Sequence, residues 1–151
     1  MKLTARNINL FLLTKLPSAW FCGVRLTKID NQICQTRVKH RWINQNPFKS
    51  MYFAVQAMAA ELSTGAIVMR EIQNSNTKIS MLVAEQKSEF HKKATGKITF
   101  SCQDVKLVKE QIEKAISTKQ GQRFWLTSIA KNEDGITVSE FKFLWTVKCK
   151  K

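Results

Sequence analysis

The stretch "NPFKSMYFAVQAMAAELSTG", residues 46–65, decides the fold. From Met51 onward its apolar positions, Met51, Phe53, Ala54, Val55, Ala57, Met58, Ala59, Ala60 and Leu62, cover the whole circumference of a helix. A helix that is apolar all round is a buried helix. The run continues through "AIVMREI" to about Ile72, with Asn46 or Ser50 as the N-cap and Pro47 where a missing N–H does no harm. About 22 residues at ~1.5 Å each give a helix roughly 33 Å long, enough to thread the length of a domain. One carboxylate, Glu61, interrupts this surface. Unpaired burial of its charge would be costly, so the acid must be paired, hydrogen-bonded or neutral. It pairs with a basic neighbour such as Arg37 or Arg41, it faces a solvent-accessible notch, or it serves chemistry.

Outward from this helix the chain reads as short strands and two amphipathic helices. Thr4 can cap a helix carrying Ile8, Phe11 and Leu12 on one face, stopped by Pro17. Residues 21–29 and 33–40 suit two strands joined by the turn "DNQ". After the central helix, "KISMLVAEQKSEFHKKA" and "GKITFSC" fit strands, with Gly96 supporting a turn between them. Asp104 then caps a surface helix with Val105, Val108, Ile112 and Ala115 on one face, ending near Gly121. "QRFWLTSIAK", the turn "NEDG" and "ITVSEFKFLWTVKC" make a long final hairpin, in which Phe141, Phe143, Trp145 and Val147 alternate with polar residues. The expectation is a single α+β domain over residues 1–151. About six antiparallel strands, mostly joined by hairpin turns, wrap around a long central helix.

The 25 Lys and Arg against 11 Asp and Glu give a formal charge of +14, which favours polyanions, acidic proteins or phosphorylated ligands. The basic residues are scattered, Lys92, Lys93, Lys106, Lys109, Lys148, Lys150 and Lys151 among them, with no zinc-ligand spacing and no RNA-binding aromatic motif. Nucleic-acid binding therefore rests on charge alone and is disfavoured. Cys22, Cys34, Cys102 and Cys149 lie far apart without a C-x-x-C pair, so free structural thiols are expected and no metal site. His40 and His91 are far apart in sequence and read as structural. Trp42, Trp125 and Trp145 read as core or interface residues. Asn7, Asn9 and Lys15 interrupt the apolar run near the N-terminus, so it reads as mature structure rather than a leader. No apolar run approaches a membrane span, which with free thiols points to the cytoplasm.

The order helix, hairpin, long helix, then further strands resembles the hotdog fold. The stretch 46–65 is similar to the active-site segment of hotdog acyl-CoA thioesterases, where an Asn or Gln before Pro leads through a Gly-x-x-His-Gly-Gly type turn into the central helix and its acid. "LPSAWFCGVRL" and "EFKFLWTVK" resemble an uncharacterised thioesterase-like subfamily of the same superfamily. The resemblance implies that Glu61 is base or nucleophile, that the Phe53 N–H is an oxyanion donor, and that Asn46 orients water or the carbonyl. It places Tyr52 at the histidine position and Phe53 and Ala54 at the two glycines. Ser63 and Thr64 follow Glu61 on the helix and either line the same pocket or bond back to the helix backbone. The resemblance also implies a homodimer or homotetramer with the site between subunits. The substrate would be an acyl-CoA or acyl carrier protein thioester, with coenzyme A as part of the substrate and no separate cofactor. The bulky Tyr52 and Phe53 in the turn favour an alternative, a non-catalytic hotdog module that binds acyl ligands or a protein partner.

Overall fold

The computed structural model describes residues 3–150; Met1, Lys2 and Lys151, the last of them one of the scattered basic residues, lie outside the described residues. In chain order the elements are α1 (Ala5–Lys15), α2 (Pro17–Phe21), β1 (Arg25–Ile29), β2 (Cys34–Lys39), a 3-10 turn (Trp42–Asn44) and α3 (Phe53–Asn74). They continue with β3 (Ile79–Phe90), β4 (Lys97–Cys102), α4 (Val105–Thr118), β5 (Gln122–Lys131) and β6 (Thr137–Cys149). The six strands form one antiparallel sheet in the order β1-β2-β4-β5-β6-β3, and α3 packs along it, which is the hotdog arrangement.

The side-chain period of two puts one face of each strand against α3. Ile98, Phe100 and Cys102 of β4 are buried in alternation, as are Phe124, Leu126 and Ala130 of β5. Four buried polar links fix how α3 is rotated on this surface. Thr36 Oγ1 donates to Ala59 O (2.6 Å), Ser139 Oγ to Gln56 Oε1 (2.7 Å) and Trp145 Nε1 to Thr64 Oγ1 (2.9 Å), while the Ser63 and Ser128 hydroxyls share a 2.7 Å bond. Each pairs a group that would otherwise be buried without a partner, a state that costs about 1–3 kcal/mol. A slip or rotation of the helix would break all four together.

The expected elements form, with five corrections. The helix length is as expected, but neither Asn46 nor Ser50 caps α3. The Asn46 side chain is held within its own turn, and Met51 N–H and Tyr52 N–H bond to Ala94 O and Asn44 O, so the chain stays extended until Phe53. The strand expected from residue 21 starts only at Arg25. Pro17, at the first position of a new helix, opens the five-residue α2, and Gly23, at φ +88°, ends it with a turn that disfavours a side chain.

Hairpin turns join only β1 to β2 and β5 to β6. Gly96 does occupy a left-handed turn, at φ +67°, but β3 and β4 are not neighbours: β3 pairs with β6 at the sheet edge while β4 lies between β2 and β5. The linking residues 91–96 therefore cross the end of the sheet beside the start of α3, where Ala94 O accepts from Met51 N–H and Phe48 O from Lys93 Nζ. The fourth correction concerns α3 itself, whose burial is incomplete. Ala54, Ala57, Met58 and Glu61 form a partly open stripe at helical spacing, while Leu62 to Val68 are fully enclosed.

Asp104 occupies the N-cap position of α4 and its backbone carbonyl accepts from Val108 N–H (3.1 Å), but its side chain does not cap that helix as expected. Its Oδ2 instead accepts from Thr127 N–H on β5 (2.8 Å) and from Cys102 Sγ (3.8 Å), tying α4 to the sheet. Asp104→Ala is expected to lower unfolding free energy by about 2 kcal/mol, as for a hydrogen bond to a charged acceptor. Asp104→Asn, which keeps an acceptor oxygen, should lose less. Urea melts of the two variants check this, and equal losses would remove the Thr127 bond from the explanation. Cys34 and Cys102 face one another across β2 and β4 as free, buried thiols. Burial pushes both up, Cys102 to about 12, which removes the reactive thiolate.

Candidate active site

The extended arrival of residues 51–52 and the crossing of residues 91–96 frame a cleft of about 610 Å³ at the start of α3, lined by Asn46, Phe48, Tyr52, Phe53, Phe90 and His91 among others. Asn46 builds its floor. Its Oδ1 accepts from Phe48 N–H (2.9 Å) and Ser50 N–H (3.2 Å), and its Nδ2 donates to Ser50 Oγ (3.0 Å), closing the turn over Pro47. Asn46 is thus on the cleft, with its amide engaged by the loop. Tyr52 and Phe53 meet edge to face at 5.0 Å, Phe53 and Phe90 at 6.3 Å, and Phe90 and the buried Phe141 at 5.6 Å. The series runs from core to surface, and Tyr52 and Phe53 are left 48% and 55% exposed, an apolar lining open to a ligand or a partner.

No side chain caps α3. Tyr52 O accepts from Val55 N–H and Gln56 N–H, and the amides of Phe53 and Ala54 have no partner among the described residues. Two free N–H groups at the positive end of a 22-residue helix suit a developing negative charge. The Phe53 ring packs edge to face on Tyr52 and Phe90 beside this amide.

Glu61 lies elsewhere. Eight residues along α3 place it about 12 Å from the helix start, outside the residues that line the cleft. It is partly buried, and its carboxylate has no hydrogen bond or ion pair with any described residue. Arg37 and Arg41, the suggested basic partners, are exposed and do not pair with it, so the ion-pair alternative is corrected. Burial alone pushes Glu61 up to about 6. Ser63 and Thr64 do not join the cleft. Both are fully enclosed and bond back to the helix, Ser63 Oγ to Ala60 O and Thr64 Oγ1 to Glu61 O, which is the common habit of such residues in helices. Ala54 is partly buried beside Phe53 on the open stripe, outside the cleft lining.

Gln56 and Phe90 line the cleft without having been singled out in the sequence. Gln56, a second polar residue in the apolar run, carried the same signal as Glu61. A larger cleft, about 830 Å³, opens at the far end of α3 against α1 and β1, but its Arg70 and Lys28 are already paired with Glu71 and Asp30. Among the described residues it offers no free charge for chemistry. Among the described residues, Glu89, His91 and Glu140 bring one possible metal-ligand atom each within 4.8 Å of one another. The cluster is on the surface, and His91 Nε2 already meets Glu140 Oε2 at 3.1 Å. Of the tryptophans, Trp145 is buried, Trp42 is exposed and Trp125 lies under Lys87 Nζ, 4.7 Å from its ring centre.

The sequence matches a family described as a domain of unknown function, DUF4442, over residues 4–147. The chain belongs to the DUF4442 family. No curated protein matches it. Among solved structures, a Pseudomonas aeruginosa protein of unknown function described as a probable thioesterase superposes with a TM-score of 0.83 at 20% identity, covering 99% of each chain. A Haemophilus influenzae thioesterase superposes at 0.71 and 10% identity, over 99% of this chain and 93% of its own. The E. coli PaaI protein, from the phenylacetic acid degradation operon, superposes at 0.66 and 13%, over 97% and 94%. At these identities the likeness establishes the fold that the DUF4442 chain shares with thioesterases. The resemblance read from residues 46–65 therefore holds at the level of the fold. Among the described residues no helix is long and apolar enough to cross a membrane.

Proposed function

We propose that this DUF4442 protein is a cytoplasmic acyl thioesterase that hydrolyses an acyl-CoA or acyl carrier protein thioester. The observation that carries the reading is Glu61, a partly buried carboxylate without a partner, pushed to about 6, on the central helix of a hotdog fold. A base poised near the working pH is what water activation needs. In the proposed step, the Glu61 carboxylate takes a proton from water as the water oxygen attacks the thioester carbon. The negative charge passes to the carbonyl oxygen, which meets the N–H groups of Phe53 and Ala54. The C–S bond then breaks, the hydroxyl stays on the acid, and the proton returns to the departing thiolate. Attack by the carboxylate itself would pass through an anhydride and end with the same products. Lys92 and Lys93 on the cleft rim suit the phosphates of the thiol carrier.

About 12 Å separates the start of α3 from Glu61 within one chain, too far to act on one carbonyl. A second copy supplies the missing half, so the working unit is a homodimer, or a homotetramer built from it. The open stripe on α3 and the exposed edge strand β3, with Leu82 67% exposed, support such a pairing. A complementation experiment tests it. Phe53→Pro removes one amide donor yet fits the first helical position, and Tyr52, at φ −60° and ψ 135°, suits a following proline. Unfolding and refolding Phe53→Pro together with Glu61→Gln should regain hydrolysis that neither has alone, because a mixed dimer holds one intact site. No gain in a mixture shown to contain mixed dimers would confine the site to one chain.

The direct test of the activity is a panel of short, long and aromatic acyl-CoAs with wild type and Glu61→Gln. Hydrolysis by wild type that the variant lacks supports the proposal. The exposed Tyr52 and Phe53 rings favour one rival, a module that binds acyl ligands or a protein partner without chemistry. Binding to an acyl-CoA with no turnover of any member of the panel would establish that rival.

A further inference from the structure

Glycine in mid-helix weakens the helix, so the place of Gly65 within α3 calls for a reason. A Cβ built there would lie 3.1 Å from both Cη2 and Cζ2 of Trp145 and 3.3 Å from Glu61 Oε1. The edge of the indole and the carboxylate of Glu61, one helical turn away, thus converge on the same bare Cα. Trp145 is held in that position along the same edge of the ring. Its Nε1 donates to Thr64 Oγ1 (2.9 Å), and the same hydroxyl donates to Glu61 O (2.9 Å). The ring is therefore tied through one enclosed hydroxyl to the backbone of the residue whose side chain it walls.

We propose that Gly65, Trp145 and Thr64 form a seat that fixes the Glu61 carboxylate against the indole edge, and that they act as positioning residues for the reacting acid. The proposal rests on the reading of Glu61 as that acid. Each member has a separate task. Gly65 leaves the space, Trp145 supplies an apolar wall on the side of the sheet, and Thr64 sets the angle of the ring. A phenylalanine at 145 would supply a shorter wall without the N–H that locks it.

No charge shares in this arrangement. Burial is the one cause of the displacement of Glu61; Arg37 and Lys39 of β2 and Lys142 and Lys148 of β6 are exposed to solvent, and several other charges near α3 have their own partners. On α3 Arg70 pairs with Glu71; between β3 and β5 Glu85 pairs with Arg123; Lys87 of β3 lies over Trp125; and Glu140 of β6 meets His91. The seat works by keeping water from one side of the carboxylate and holding the group still.

The test follows the carboxyl carbon of Glu61 by NMR as a function of pH in wild type, Gly65→Ala, Thr64→Val and Thr64→Ser. The first variant fills the seat, the second removes the lock at nearly constant volume, and the third restores the hydroxyl. Gly65→Ala and Thr64→Val are expected to lower the midpoint from about 6 by at least about half a pH unit towards the ordinary carboxylate range, with Thr64→Ser close to wild type. The acid limb of the rate profile should move the same way. Unmoved midpoints in Gly65→Ala and Thr64→Val would overturn the seat. Should Gly65→Ala not fold, the contrast of Thr64→Val with Thr64→Ser carries the test. Midpoints that move while Glu61→Gln retains full hydrolysis would overturn the positioning role together with the catalytic reading, so the two failures are distinguishable.

Discussion

Glu61→Gln is expected to lower kcat/KM for thioester hydrolysis by about 10²–10⁴-fold, the usual contribution of a positioned base. The amide keeps the shape of the side chain and loses only its capacity to take a proton. In wild type the acid must be ionised to act, so the rate should fall as pH drops through about 6 and level off above it. Stability runs the other way. The folded-state value of Glu61, about 6, is above the ordinary 4.5, so its contribution to stability is fully present below about 4.5 and is lost as pH rises through about 6. The loss amounts to at most about 2 kcal/mol at neutral pH. Glutamine has no such loss. The variant should therefore be more stable than wild type at pH 7–8 by up to that amount in urea melts, and the two should converge below pH 4.5. A chain that gains stability as it loses activity identifies the acid as one kept for function. Loss of both would mark Glu61 as structural instead.

The opening stretch made α3 legible because apolar residues on every side of a helix require an enclosing surface, and the alternation along β4, β5 and β6 supplied one. What the chain does between elements was harder to read. Residues 91–96 look like a turn between neighbouring strands because Gly96 is there. Which edge of the sheet β3 joins depends on pairing with β6, whose partners for Ile79 and Phe90 are Cys149 and Ser139, far along the chain, and no local pattern encodes it. Asn46 shows a similar limit. An Asn before Pro reads equally as a helix cap or as the organiser of its own turn, and the choice was made by Ala94 and Asn44, whose carbonyls hold residues 51–52 extended. Glu61 was visible as an anomaly, but whether it had a partner was a matter of distances. Likewise Gly65 was silent in the sequence, since only the approach of Trp145 gives its missing side chain a meaning.

The largest stability effect is expected from Phe141→Ala. Phe141 is fully enclosed on β6 and meets Phe90 at 5.6 Å, Phe100 at 6.3 Å and Phe143 at 6.2 Å, so truncation empties the junction between the core and the cleft wall. A cavity of that kind costs about 3–5 kcal/mol, or a fall of roughly 10 °C in Tm for a chain of this size. Phe90→Ala removes the next ring outward, which is 47% exposed, and leaves less apolar surface uncovered. Its cost should stay near 1 kcal/mol, the scale of one aromatic pair. The contrast matters for the site because ring contacts link Phe53 and Tyr52, which border the free amides, to the core through Phe90 and Phe141. Phe141→Ala at low temperature, where the chain is still folded, should therefore also loosen the cleft and raise KM more than it lowers kcat. Equal destabilisation by the two substitutions would show that the series of rings is not anchored in the core.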